Sequence, residues 1–369
     1  MTIQVTVANA YAVAMASDRH VYRGGHTLST GRQSKLFRLR GRVRAAMMSA
    51  GSFSLLGFPL SRFTLAIEAA LAATRDAGPD GLAEAALGAL QQRVKVPGGS
   101  PDMAQRDTEI LAQAADLVLG HARAYGDWGA GLEKLLQEIR RAPRCDGGEE
   151  VEALGRAVWQ ERAVSLATLA RCPNVAEALS SVPDLLGEAA ISALVRDWGQ
   201  LPDASIMIGL CCPGTGVPAV VSVNVRRGLG DRLLFAPRYD RTYYVLHRAG
   251  RSLLLSQGSG GARVAAMIEG IASEYLASHP ARDETAGLVD QRWQRTHDRI
   301  AVSSPDELAG IAAGLVSAAE VIGYLTGEDE GSVAGTEAVL VTPQGLFPQS
   351  RERGLHRKGC YSEPGELGL

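Results

Sequence analysis

MTIQVTVANAYAVAMASDRHVYRGGHTLSTGRQSK, residues 1–35, decides how the rest of the chain is read. Ile3, Val5 and Val7 alternate with Gln4 and Thr6, the period-two pattern of a strand with one buried face. Asn9-Ala10 is a tight turn, and the small apolar residues over 11–17 return as a second strand that ends at Asp18-Arg19. Gly24-Gly25 and Thr30-Gly31 punctuate a polar loop, and Lys35-Leu36-Phe37 opens the next strand. Thr2 directly follows the initiator methionine. Its side chain is small, so removal of Met1 is expected, leaving a hydroxyl and a free α-amine on one residue. That places a nucleophile and a base together.

Outward from this stretch, 35–39 and 43–49 read as a strand pair closed by Ala50-Gly51-Ser52. A helix follows over 56–71, where Leu60, Phe63, Leu65, Ala69 and Leu71 recur at near-helical spacing. It stops at Asp76-Ala77-Gly78-Pro79. Residues 79–183 change character: they are rich in Ala, Leu, Glu and Arg, with apolar residues three and four apart. Helices are expected over 82–94, 108–125, 132–141, 151–171 and 175–181. Their apolar faces exclude a simple linker and define an all-helical insertion.

Strand patterning resumes over 205–212 and 217–225, a hairpin around Pro213-Gly214-Thr215-Gly216. Further strands are expected over 233–237, 243–247 and 253–255. Gly258-Ser259-Gly260 opens a helix that runs to about residue 276. A long helix over 305–324 has Ser303 or Ser304 as its cap and Asp306-Glu307 in its first turn. A last strand over 335–342 precedes a polar tail, 348–369, expected to be loosely held. The resulting division is a core of 1–78 and 184–347, an insertion of 79–183, and the tail.

Composition excludes several function classes. The 369 residues are 46% hydrophobic and 21% charged, with net charge −2 and a pI near 6.4. This gives no electrostatic reason to expect nucleic acid or an anionic membrane as partner. Arg38, Arg40, Arg42 and Arg44 fall at alternate positions and read as one solvated strand face. No apolar run approaches the roughly 18 residues of a membrane helix, and no signal peptide is evident. The five cysteines and seven histidines lack metal-ligand spacing, so neither a metal nor a cofactor is expected. Buried free thiols in a reducing cytoplasm account for the cysteines most simply.

The order of elements, taken with the N-terminal residues, resembles the proteasome β-subunit family of N-terminal-nucleophile (Ntn) hydrolases, including the bacterial ring protease subunit HslV. The residues that carry the resemblance are Thr2, Ala16-Ser17-Asp18-Arg19, Lys35-Leu36-Phe37, Ala50-Gly51, Gly258-Ser259-Gly260 and Asp329-Glu330-Gly331-Ser332. They span 2–77 and 184–345 and leave the helical insertion unmatched. The resemblance implies an α+β fold, a four-layer αββα sandwich carrying the insertion. It also implies a threonine endopeptidase that forms an acyl-enzyme ester on Thr2.

By the same resemblance, Lys35 places an ammonium beside the Thr2 hydroxyl and Asp18 holds that lysine charged and oriented. The Gly51 N–H faces the developing oxyanion, and Ser259, Asp329 and Ser332 position the terminal amine. Peptide or unfolded-protein substrates, a cytoplasmic homo-oligomeric ring and a separate ATP-dependent unfoldase are the implied partners. The chain has no Gly-x-x-x-x-Gly-Lys-Ser/Thr motif of its own. Ile3 replaces the second threonine common in the family, and the glycine frequent in its first strand is absent. Two other readings stand beside this one: an Ntn amidase acting on a small molecule, and an inactive proteasome-like scaffold.

Overall fold

The structure, a computed structural model, describes residues 3–351 except 24–25, 31–33, 52–53, 56–57, 75, 92–100, 126, 146, 170–173, 197, 199–201, 227, 231–233, 236–240, 247–250, 258–260, 270–281 and 326–334. Among the described residues it is a mixed α+β protein built on two larger antiparallel sheets and ten α-helices.

The first sheet has the order β13-β1-β2-β14-β15. These strands are β1 (Gln4–Asn9), β2 (Val13–Asp18), β13 (Ser252–Gln257), β14 (Thr336–Val341) and β15 (Leu346–Arg351). The second has the order β11-β10-β9-β6-β5, with β12 also paired to β10. Its strands are β5 (Leu36–Leu39), β6 (Arg44–Gly51), β9 (Pro202–Cys211), β10 (Pro218–Arg226), β11 (Leu234–Phe235) and β12 (Arg241–Val245). Two short hairpins complete the strands: β3 (His20–Arg23) with β4 (His26–Thr30), and β7 (Ser54–Leu55) with β8 (Phe58–Pro59).

The alternation in β1 was expected to bury one face; the structure buries both. Ile3, Val5 and Val7 pack with Ala14 and Ala16 against α8 (Gly261–Glu269), α9 (Arg282–Val302) and α10 (Pro305–Leu325). Leu308, Ala312, Val316 and Ala319 give α10 a stripe of mostly small side chains that lies close on the sheet. On the opposite face Ala8, Val13, Met15, Val339 and Val341 meet Ala46, Met48, Met207 and Val220 of the second sheet. The polar residues of β1 tolerate this burial because they find partners. Gln4 Nε2 donates to the Ser49 carbonyl at 2.6 Å, and Thr6 Oγ1 donates to Met207 Sδ at 3.1 Å.

The outer face of the second sheet carries Ala45, Met47, Ile206, Ile208, Val221 and Val223. Phe63 and Ile67 of α1 (Leu60–Ala73) and Leu82, Ala86 and Leu90 of α2 (Pro79–Gln91) cover it. Each fully buried leucine or isoleucine here contributes about 1.5–3 kcal/mol. The sheets pack closely at Gly209, where an added Cβ would lie 2.7 Å from Val13 Cγ1 and 2.9 Å from Met15 Sδ. Arg38, Arg40, Arg42 and Arg44 are all exposed on the β5–β6 hairpin, as their alternation suggests.

A separate apolar core joins α3 (Pro101–Ala122), α4 (Trp128–Arg141), α5 (Gly148–Leu169), α6 (Asn174–Ser181) and α7 (Pro183–Val195), through Leu111, Leu119, Leu135, Ile139, Val151 and Leu186 among others. Packing therefore groups α7 with these helices and α2 with the second sheet. Arg106 and Asp107 of α3 fasten the cluster to the segment between β10 and β11: Arg106 Nη2 donates to the Gly230 carbonyl at 2.6 Å, and Asp107 accepts the Gly230 N–H.

Two helices absent from the sequence reading are present, α7 and α9. In α7 most positions are apolar, so no helical period stands out; α9 is mostly polar in sequence, and Ile300 and Ala301 are buried. The tail also differs from expectation. Residues 348–351 complete β15, where Pro348 opposes Val339 and Arg351 opposes Thr336. A proline is compatible with this position because β15 is an edge strand.

Candidate active site

The site is built where β1 begins, β2 ends and β5 is about to start. Antiparallel pairing of β1 with β2 places Gln4 opposite Ser17. One step further, the Asp18 N–H donates to the Ile3 carbonyl at 3.0 Å, and the Ile3 N–H donates to Asp18 Oδ1 at 2.8 Å. The Asp18 carboxylate thus holds the first described residue of the chain.

Lys35 enters from the other sheet. Its ammonium lies 2.9 Å from both Asp18 oxygens. The two side chains are 1% and 0% exposed. A buried carboxylate taking a backbone N–H and both arms of an ammonium contact is fixed in orientation, and the ammonium is fixed with it. Burial lowers the Lys35 pKa from its ordinary value, while Asp18, Glu320 and Glu337 pull it back upward in that order. The amine is therefore more easily deprotonated than an exposed lysine.

The backbone of Lys35 is held as firmly as its side chain. Glu337 Oε1 accepts the Lys35 N–H at 2.5 Å and the Leu36 N–H at 3.1 Å. Glu337 lies on β14 opposite Ser17, with Thr336 opposite Asp18. The carboxylates of Asp18 and Glu337 thus come from adjoining strands of one sheet and grip a single residue of the other. Burial raises the Glu337 pKa, against the Ser34 side chain, the two N–H groups and the Arg19 charge. Gln4 and Ser49 line the same inter-sheet region, and Gln4 Oε1 and Ser49 Oγ are buried with no hydrogen-bond partner among the described residues.

Of the residues expected from sequence, Asp18 and Lys35 are brought together. Gly51 closes β6 opposite Ala204, three residues beyond the Met48–Leu36 pair, so it lies toward the same end of the second sheet as Lys35. Thr2, Ser259, Asp329 and Ser332 lie outside the described residues. Glu337, Glu320 and Gln4 were missed. The usable signal was a glutamate inside TEAVLV, since a carboxylate in a buried apolar strand requires a partner. Among the described residues no group of three or more His, Cys, Asp or Glu is arranged to hold a metal. No described helix is long and apolar enough to cross a membrane.

No known family profile and no curated protein sequence matches the chain. Among solved structures it is similar to Anbu (ancestral beta-subunit) from Yersinia bercovieri, at 11% identity over 95% of this chain and 88% of that one. The TM-score is 0.34. Identity and superposition at this level define neither a fold nor a chemistry, so the case for function rests on the Asp18–Lys35 geometry.

Proposed function

We propose that the chain is a proteasome-like threonine peptidase of the Ntn-hydrolase class, with Thr2 as nucleophile once Met1 is removed. The observation that carries this reading is the Lys35 ammonium, held by both Asp18 oxygens while the same carboxylate takes the N–H of Ile3, the residue next to Thr2. An N-terminal nucleophile needs a base, which its own α-amine supplies, and a nearby positive charge that favours the ionised hydroxyl. A lysine ammonium fixed beside the start of β1 meets the second need.

In the proposed reaction the Thr2 hydroxyl attacks a peptide carbonyl and its proton passes to the neutral α-amine, while the Lys35 ammonium favours the ionised hydroxyl. The tetrahedral oxyanion is met by the Gly51 N–H. Collapse breaks the C–N bond, the proton goes to the leaving amine, and an ester remains on Thr2. Water then attacks that ester and regenerates the hydroxyl. A donor such as the Gly51 N–H contributes about 10²–10³ in rate. Ser259, Asp329 and Ser332 are assigned to holding the α-amine.

The finer parts of the reading follow from the same class. They are a four-layer αββα arrangement, a cytoplasmic homo-oligomeric ring enclosing the sites, peptide or unfolded-protein substrates, and a separate ATP-dependent unfoldase. The four-layer arrangement is supported by the two sheets facing one another, with helices on each outer face.

Intact mass and peptide turnover, measured together, test the proposal. The expected mass lacks Met1, and a fluorogenic peptide is hydrolysed by the native chain but not by Thr2→Ala. A chain that retains Met1, or equal turnover by Thr2→Ala, overturns the proposal.

A further inference from the structure

Glu337 sits on the inter-sheet face of β14, whose next residues on that face are Val339 and Val341. It is 8% exposed. A carboxylate withdrawn from water this far is held by what it grips, and it grips backbone. The consecutive N–H groups of Lys35 and Leu36 converge on its Oε1, at the point where the chain enters an edge strand of the opposite sheet. Ser34 adds a side-chain contact. Asp18 orients the far end of Lys35 and Glu337 its near end, so the ammonium has little freedom left.

We propose that Glu337 is a positioning residue for the Lys35 ammonium: its carboxylate fixes the backbone from which that ammonium is presented to the reacting hydroxyl. This rests on the hydrolytic reading above. The charged groups around it are Arg19 at the end of β2, Asp18 on β2, Lys35 before β5, and Glu320 on α10, which acts on Lys35. Arg19 favours the carboxylate, and burial opposes it. Loss of the Glu337 charge therefore removes one of the contributions that favour the ammonium.

The test uses the full chain with ¹³C-labelled lysine, following Lys35 Cε by NMR against pH, alongside peptide turnover. Glu337→Gln keeps the side-chain length and one carbonyl acceptor but removes the charge. Lys35 is expected to titrate at lower pH in this variant than in the native chain. Most of kcat is expected to survive, while the acid limb of the pH profile changes. Glu337→Ala loses the grip altogether, and kcat is expected to fall about 10²-fold with KM unchanged. A purely structural role would lower the folded fraction but move neither the Lys35 titration nor the acid limb.

Superimposable Lys35 titrations and pH profiles for the native chain and Glu337→Gln overturn the proposal. If Glu337→Ala does not fold, the Gln comparison still decides it. Absence of Thr2-dependent hydrolysis in the native chain would refute the hydrolytic reading separately, and the Lys35 titration would still report whether Glu337 governs that amine.

Discussion

The Lys35 ammonium lies 2.9 Å from each oxygen of the Asp18 carboxylate, and both side chains are buried. The pair joins the end of a central strand in one sheet to the entrance of an edge strand in the other. It is costly to desolvate and costly to break.

Removing either partner is expected to destabilise the protein strongly. Lys35→Met and Asp18→Leu each leave a buried charge without its opposite and are expected to cost about 3–5 kcal/mol. The double variant replaces the pair by apolar side chains and is expected to recover much of that loss. Urea unfolding of the four proteins forms the cycle; additive losses would mean that the two side chains do not interact.

Glu337 gives stability a definite pH sign. Its folded-state pKa is raised above the ordinary 4.5 by burial, so the native state holds this proton more tightly than the unfolded chain. Its favourable contribution is complete below pH 4.5 and is lost as pH rises through the raised native value. Relative to Glu337→Gln, the native chain is therefore expected to gain stability as pH falls from neutral toward 4.5. Parallel unfolding titrations of the two proteins check this, and a constant difference would contradict it.

Lys35 works in the opposite range. Its native pKa is lowered from 10.5 by burial, so the unfolded chain binds this proton more readily. Stability attributable to Lys35 is gained as pH rises from its native pKa to 10.5, and is lost as pH falls back through that window. Unfolding of the native chain against Lys35→Met over the alkaline range measures it; the expected sign is a growing relative stability of the native chain.

Gly209 leaves no room for a side chain between the two sheets. Gly209→Ala pushes a methyl group into Val13 and Met15, and overpacking of this kind costs about 1–3 kcal/mol. A lowered urea midpoint is expected, relieved in part by Val13→Ala in the same chain.

The thiols are expected to be inert in the folded protein. Burial, with Cys212 adding to it, pushes the Cys211 pKa up to about 12, and Cys145, Cys211 and Cys212 are all buried and free. Since only a thiolate reacts readily, an aromatic disulfide reagent should label these three after unfolding and not before, as peptide mapping will read.

Much of this was legible in the sequence because the signals were local. Ile3, Val5 and Val7 mark β1, and Ser304 caps α10 through a reciprocal pair of bonds with Glu307. Asp18 ends β2 and Lys35 stands just before β5, and the two meet; between them the structure has the β3–β4 hairpin where the sequence reads as a polar loop. The remainder depends on what lies across a sheet or a helix. Gln4 reads as an outward polar residue until Ser49 appears opposite it. Glu337 lies in the expected last strand, but nothing near it in the chain reveals that residues 35 and 36 are its partners. In α7 the abundance of apolar residues hides the helical period, and in α9 the many charged and polar residues do so.

The most direct test of the central claim is peptide-level mass spectrometry after brief reaction of the full chain with a peptide β-lactone, which acylates an activated hydroxyl. The account predicts an N-terminal peptide that begins at Thr2 and carries one acyl ester, with no such adduct in the Thr2→Ala or Lys35→Met proteins. An N-terminal peptide that retains Met1, or one that begins at Thr2 and stays unmodified, would contradict it.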